Sequence, residues 1–133
     1  MKLALCIDDG GGMLFQGRRQ SRDRLLLSDL LSSAGGGHLF CEAFSDSLLA
    51  GLDHTTVSRT DLSSLGAEDI LFLECPPIAP LLPYADTLIL YRWNRVYPRD
   101  ACLDIFPSEL TLVCREELVG SSHEKITKEI YRL

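Results

Sequence analysis

Leu3-Ala4-Leu5-Cys6-Ile7-Asp8-Asp9-Gly10-Gly11-Gly12-Met13 is the stretch on which the fold turns. Five apolar residues end abruptly in two aspartates and three glycines. An apolar run of that length, with no polar alternation, reads as a strand buried on both faces, as in the middle of a parallel sheet. The glycines read as a flexible loop. Arg18-Arg19-Gln20-Ser21-Arg22-Asp23-Arg24 follows, and an apolar stripe then restarts at Leu25.

Downstream, Leu26, Leu27, Leu30 and Leu31 repeat at helical spacing over residues 21–33, with Ser21 or Asp23 available as N-cap. Ala34-Gly35-Gly36-Gly37 ends that helix. His38–Cys41, Ile70–Leu73 and Thr87–Tyr91 read as further buried strands. Thr55–Val57 reads as a weak strand and Leu110–Cys114 as a late one. A short helix is expected from Phe44 to Leu52. Pro76, Pro77, Pro80 and Pro83 forbid a sheet interior or a long helix between the Ile70 and Thr87 strands. Ser121 and Glu124 form a capping-box pattern, so a last helix is expected to run to the C-terminus on Ile126 and Ile130. Strands alternating with helices or crossover-length segments predict a single α/β domain over 1–133. Its expected form is a three-layer, mostly parallel sheet flanked by helices, flavodoxin-like or Rossmann-like.

Composition narrows the partners. No apolar run approaches the ~18–20 residues of a membrane span, and no signal peptide opens the chain, so no membrane and a cytoplasmic location are expected. Five widely spaced cysteines without a Cys-x-x-Cys pair make neither a disulfide framework nor a zinc site. Cys6, Cys41 and Cys114 lie in apolar runs and are expected to be buried. A net charge of −6 argues against extended nucleic acid. Yet seven of the 13 basic residues fall in two blocks, Arg18, Arg19, Arg22, Arg24 and Arg92, Arg95, Arg99. Local basic patches on an acidic body suit a compact anionic ligand such as a nucleotide or phosphorylated metabolite. Homo-oligomerisation is left open.

In a parallel sheet, ligands sit outside the carboxyl ends of the strands. That rule gathers the candidate residues on one edge. Asp8 and Asp9 suit a general base or, weakly, a divalent cation. Gly10, Gly11 and Gly12 would let a ligand approach the backbone closely. They complete neither a Walker loop nor a Gly-x-Gly-x-x-Gly fingerprint, since Phe15 stands at the third position. Arg18, Arg19 and Ser21 lie at a helix entrance, where cations are unfavourable without an anionic partner. That partner is either a ligand or an internal carboxylate. Trp93 between Arg92 and Asn94-Arg95 suits stacking on a planar ring. Ser121, Ser122 and His123 complete the set, with His123 as a general acid/base. Ser122 beside His123 makes no hydrolase triad, because helix neighbours point apart. Three functions stay open: binding of a small anionic ligand, a phosphate-directed hydrolase or transferase, and a non-catalytic scaffold using the Pro76–Pro83 loop and the Trp93 block.

The blocks Asp8–Met13, Arg18–Asp23, Tyr91–Pro98 and Ser121–Thr127 resemble those of a family of small bacterial proteins. Members carry an aspartate–glycine–methionine opening, Arg-Arg-Gln-Ser-x-Asp, Tyr-x-Trp-Asn-Arg-x-Tyr-Pro and Ser-Ser-His-Glu-Lys-Ile-Thr. Some are labelled as like ribonuclease Z. The zinc motif of that enzyme, His-x-His-x-Asp-His, is absent, and the three histidines His38, His54 and His123 are scattered. The resemblance therefore groups the chain without implying a mechanism.

Overall fold

Leu3, Leu5 and Ile7 pack into one hydrophobic cluster while Ala4 and Cys6 join another, so the first strand does serve two cores. The computed structural model describes all residues, Met1–Leu133. In chain order the elements are β1 (Lys2–Ile7), β2 (Gly12–Phe15), β3 (Arg18–Arg19), α1 (Arg24–Ser33), β4 (Leu39–Cys41), β5 (Thr55–Thr56), β6 (Ile70–Phe72), β7 (Thr87–Arg92), β8 (Ala101–Cys102), β9 (Thr111–Leu118) and β10 (Ile126–Arg132). Short 3₁₀ segments occupy Ala43–Ser45, Ala79–Tyr84 and Pro107–Glu109.

Seven strands form one mixed sheet in the order β5-β4-β6-β1-β7-β10-β9. The pairings from β5 through β7 are parallel, and β10 and β9 add an antiparallel edge. β1 is central, as its unbroken apolar run requires. The sheet is thus mostly parallel, but the expected helical layers are not there. α1 is the only α-helix, and it covers one face with the fully buried Leu30 and the nearly buried Leu26. The other face is covered by Ile78 and Leu81 of the proline segment and by a second, three-stranded sheet ordered β3-β2-β8.

Two departures from the sequence reading matter for the site. The stretch after Ile7 is no flexible loop: Gly12 pairs with Cys102, and Leu14 and Phe15 pair with Arg19 and Arg18. The C-terminal segment is a strand instead of a helix. Ile126 and Thr127 are β-branched, which favours a pleated surface, and an inserted strand satisfies β7 along its whole length. Its charged residues are accommodated by pairing. Buried Glu129 meets Arg92, Arg115 and the Tyr131 hydroxyl, and buried Lys128 lies 2.9 Å from Asp29. The outermost strand, β9, leaves Cys114 exposed, against the expectation of burial. No helix is long and apolar enough to cross a membrane.

Candidate functional site

The acidic pair divides at the end of β1. Asp9 is exposed, whereas Asp8 is 1 % exposed. Asp8 Oδ1 accepts from the amides of Gly10 (2.9 Å) and Gly12 (2.7 Å). Its Oδ2 accepts from Gln20 Nε2 and the Tyr97 amide, both at 3.2 Å, with Arg99 at 3.6 Å. Four hydrogen bonds and the nearby Arg99 occupy both oxygens, so the expected base or metal role passes from Asp8 to a structural one. It closes the glycine turn and ties it to residues 97–99. The arrangement also explains why Gly12 has no side chain: a Cβ there would meet Gln20 and Arg99. No group of three or more His, Cys, Asp or Glu side chains is placed to hold a metal.

Three of the four motif blocks, Arg18–Asp23, Tyr91–Pro98 and Ser121–Thr127, converge at His123. Trp93 stacks on its ring with centroids 4.6 Å apart and planes 26° apart. His123 is only 3 % exposed and Trp93 5 %. Trp93 is therefore spent on the imidazole and the core, and neither ring stacking of a ligand nor a scaffold contact surface is open to it as first expected. His123 Nδ1 lies 3.0 Å from Asp23 Oδ2 and 3.0 Å from Ser122 Oγ. Its Nε2 lies 2.8 Å from the Tyr97 hydroxyl and 3.2 Å from Ser21 Oγ. The Tyr97 hydroxyl in turn donates to Ser21 Oγ at 3.3 Å.

Asp23 anchors this chain of contacts. It is the N-cap of α1, accepting from the amides of Leu25 and Leu26, and it also accepts from the amides of Ser121 and Ser122. Burial alone would push its carboxyl up. The Ser121 and Ser122 amides, the His123 side chain and the Leu26 amide outweigh burial and hold it well below the usual aspartate range. Ser121 was expected to cap a helix of its own. Instead its hydroxyl accepts from the Arg24 amide, so it caps α1 from across the molecule. A Cβ on Gly120 would meet Asp23 Oδ2 and the His123 carbonyl, which keeps this turn tight.

The arginines separate into two groups. Arg19 makes a two-pronged pair with Glu74 at 2.8 and 3.0 Å, and Ser45 donates to the same carboxylate. That internal pairing removes Arg19 from the expected ligand set. Asn94, at φ 59°, takes the left-handed turn that asparagine tolerates. Its amide donates to Thr127 Oγ1 and the Lys125 carbonyl, so it pins β10 and contacts no open cleft. Arg95 donates to the Ser122 carbonyl. Arg18, Arg22 and Arg24 are exposed and have no carboxylate within ion-pairing distance.

Two hollows share a wall at Arg22, Leu27 and Leu48. The inner one is a narrow space of about 20 Å³ bordered by Cys6, Ser21, Arg22, Asp23, Leu27, Leu48, Glu74 and Trp93 among others. That is room for a single water. The outer one, of about 390 Å³, is lined by Arg22, Arg24, Leu27, Ser28, Leu48, Ala50, Leu52, Ser121 and Ser122. Arg22, Leu27 and Leu48 border both. Arg18 lines a separate hollow with Gln20 and Tyr97. Asp23, Tyr97 and Arg99 were missed as site members by sequence reasoning. Asp23 was legible only as a cap, and nothing in the local pattern marks residues whose partners lie about a hundred positions away.

No protein-family model and no curated protein matches the chain. Among solved structures, it is similar to the dihydrofolate reductase from Enterococcus faecalis complexed with NADP(H) and RAB-propyl, at 12 % identity and a TM-score of 0.68. The match covers 98 % of this chain and 94 % of that one. At that identity the likeness concerns the fold alone: this chain is built on a dihydrofolate reductase-like α/β framework.

Proposed function

We propose that the protein binds a small anionic ligand, a nucleotide or phosphorylated metabolite, at the carboxyl edge of the sheet. The observation that carries this reading is the unpaired state of Arg22 and Arg24 where both line the outer hollow with Ser28, Ser121 and Ser122. Other arginines of this chain, Arg19, Arg59, Arg92 and Arg115, have found carboxylates. Two guanidiniums left free at the entrance of α1 sit where positive charge is disfavoured by the helix dipole. An anion bound there would relieve that cost and accept bidentate hydrogen bonds. The two guanidiniums and the apolar wall of Leu27, Leu48 and Leu52 suit a ligand with an anionic head and a less polar body. The dihydrofolate reductase of similar fold, complexed with NADP(H), is in keeping with a nucleotide-type ligand on this framework.

Calorimetric titration with AMP, NADPH, sugar phosphates and inorganic phosphate tests the reading. Saturable binding weakened at least tenfold in Arg22→Ala/Arg24→Ala supports it. Absence of binding across the panel, or binding indifferent to that double substitution, overturns it.

A further inference from the structure

The geometry points to a serine nucleophile: Ser21, activated by His123 and held in place by Asp23, hydrolyses a carboxylic ester whose other end carries a phosphate or carboxylate. The inference rests on the anion-binding reading for its substrate class, and on the Ser21–His123–Asp23 contacts for its chemistry.

Three features of the arrangement support it. First, the imidazole is aimed. Asp23 Oδ2 at 3.0 Å from Nδ1 favours the tautomer with the proton on Nδ1, which presents the Nε2 lone pair to Ser21 Oγ at 3.2 Å. Asp23 is held by backbone amides from two segments and Trp93 holds the ring plane, so the orientation is set before any substrate arrives. Second, Tyr97 lies within reach of both partners, 2.8 Å from Nε2 and 3.3 Å from Ser21 Oγ. When its hydroxyl donates to Ser21 Oγ, the single lone pair of Nε2 is left for the serine proton. Third, Ser21 borders the inner hollow, which shares Arg22, Leu27 and Leu48 as walls with the basin holding Arg22 and Arg24. The inner hollow as it stands holds one water, so a short ester with its anion on the two arginines reaches the serine only as the Leu27 and Leu48 side chains that border both spaces move apart. The Arg22 amide, next after the nucleophile, donates to no protein acceptor. The corresponding amide serves the oxyanion in serine hydrolases with a nucleophile elbow.

The step balances without a metal or redox partner. Ser21 Oγ bonds to the carbonyl carbon as its proton moves to His123 Nε2. The ester C–O bond breaks and the departing alcohol takes that proton. Water then attacks the acyl-serine, giving its proton to Nε2, and the carboxylic acid leaves as Ser21 Oγ regains a proton. Nothing in the local sequence suggests the pairing, since Ser21 and His123 are 102 positions apart.

A fluorophosphonate probe reports this directly, because attack by an activated serine forms an O–P bond and expels fluoride. Intact-mass and peptide analysis of the folded protein should show one adduct, on Ser21. Ser21→Ala should abolish it, and His123→Gln should slow it at least 100-fold. Tyr97→Phe and Asp23→Asn should each displace the pH profile of labelling, which loss of packing alone would not do. If His123→Gln fails to fold, Ser21→Ala and the adduct map decide. A folded wild-type protein left unlabelled, or labelled on another residue, overturns the inference. Titration of the same sample with the panel of AMP, NADPH, sugar phosphates and inorganic phosphate separates the two readings. Binding without labelling removes the nucleophile and keeps the anion site. Labelling without binding keeps the nucleophile and removes the anion site.

Discussion

Asp23 Oδ2 stands 3.0 Å from His123 Nδ1 across 100 positions of sequence, and this contact joins the entrance of α1 to the turn before β10. The same carboxylate caps the helix, receives the Ser121 and Ser122 amides and orients the imidazole. One side chain thus couples local helix formation to the tertiary closure of the site.

That coupling gives a pH signature. The folded-state pKa of Asp23 is depressed, so its contribution to stability is present above the ordinary aspartate pKa, about 4, and is lost as the pH falls below that value toward the folded pKa. Urea denaturation from pH 7 down to pH 2 should show a loss of stability that is shallower in Asp23→Asn. Equal slopes for the two proteins would mean that other carboxylates govern the acid limb.

Removing the imidazole should be costly for packing alone. His123→Ala deletes a buried ring stacked on Trp93 and leaves a hollow against the core. We expect a loss of about 2–4 kcal/mol, by analogy with large-to-small core changes, together with a change in Trp93 fluorescence. Trp93 is the only tryptophan, so the spectrum reports this contact alone.

Arg18 and Arg19 are neighbours in sequence with opposite expected behaviour. Arg19→Ala strips Glu74 of its two-pronged partner while that carboxylate remains largely buried, and should cost about 1–3 kcal/mol. Arg18→Ala touches no ion pair and should change stability by no more than about 0.5 kcal/mol. Thermal denaturation of the two single variants distinguishes them.

On β10, Lys128→Ala should destabilise the fold by about 1–3 kcal/mol, because Asp29 loses its ammonium partner and Ser33 its hydrogen bond. Asp29 keeps the Tyr91 hydroxyl at 2.6 Å, which limits the loss. Chemical denaturation of Lys128→Ala against the double variant Lys128→Ala/Asp29→Asn measures what the stranded carboxylate costs; a double variant no more stable than the single one would show that it costs nothing.

At Gly120, an added methyl would meet Asp23 Oδ2 and the His123 carbonyl, so Gly120→Ala should disturb the cap and the imidazole together. We expect the melting temperature and any Ser21 labelling to fall together. Wild-type stability in this variant would show that the turn can move.

Much of the framework is legible because buried strands carry their own mark. Leu3–Ile7, Ile70–Phe72 and Thr87–Tyr91 are apolar on both faces, and that pattern suffices to place them inside a sheet. The helix beginning after Asp23 is equally plain from its leucine stripe and its cap. The C-terminal segment misled because Ser121 and Glu124 mimic a helix start, while the hydroxyl actually serves another helix. The hairpin after Gly11 was hidden because two- and four-residue strands carry too little pattern to read.

By itself, then, the sequence determined a central buried strand ending in Asp8, a capped helix at Asp23, and a cluster of arginines around that entrance. Each of these is a local matter of side-chain periodicity, capping and charge. The tertiary structure alone decided which groups are spent and which are free. Asp8 went to the glycine turn, Arg19 to Glu74 and Trp93 to His123, leaving Ser21, Arg22 and Arg24 facing the hollows. The physical reason is that a hydrogen bond or ion pair depends on distance in space, and no local pattern records the partner that folding brings within 3 Å of a side chain.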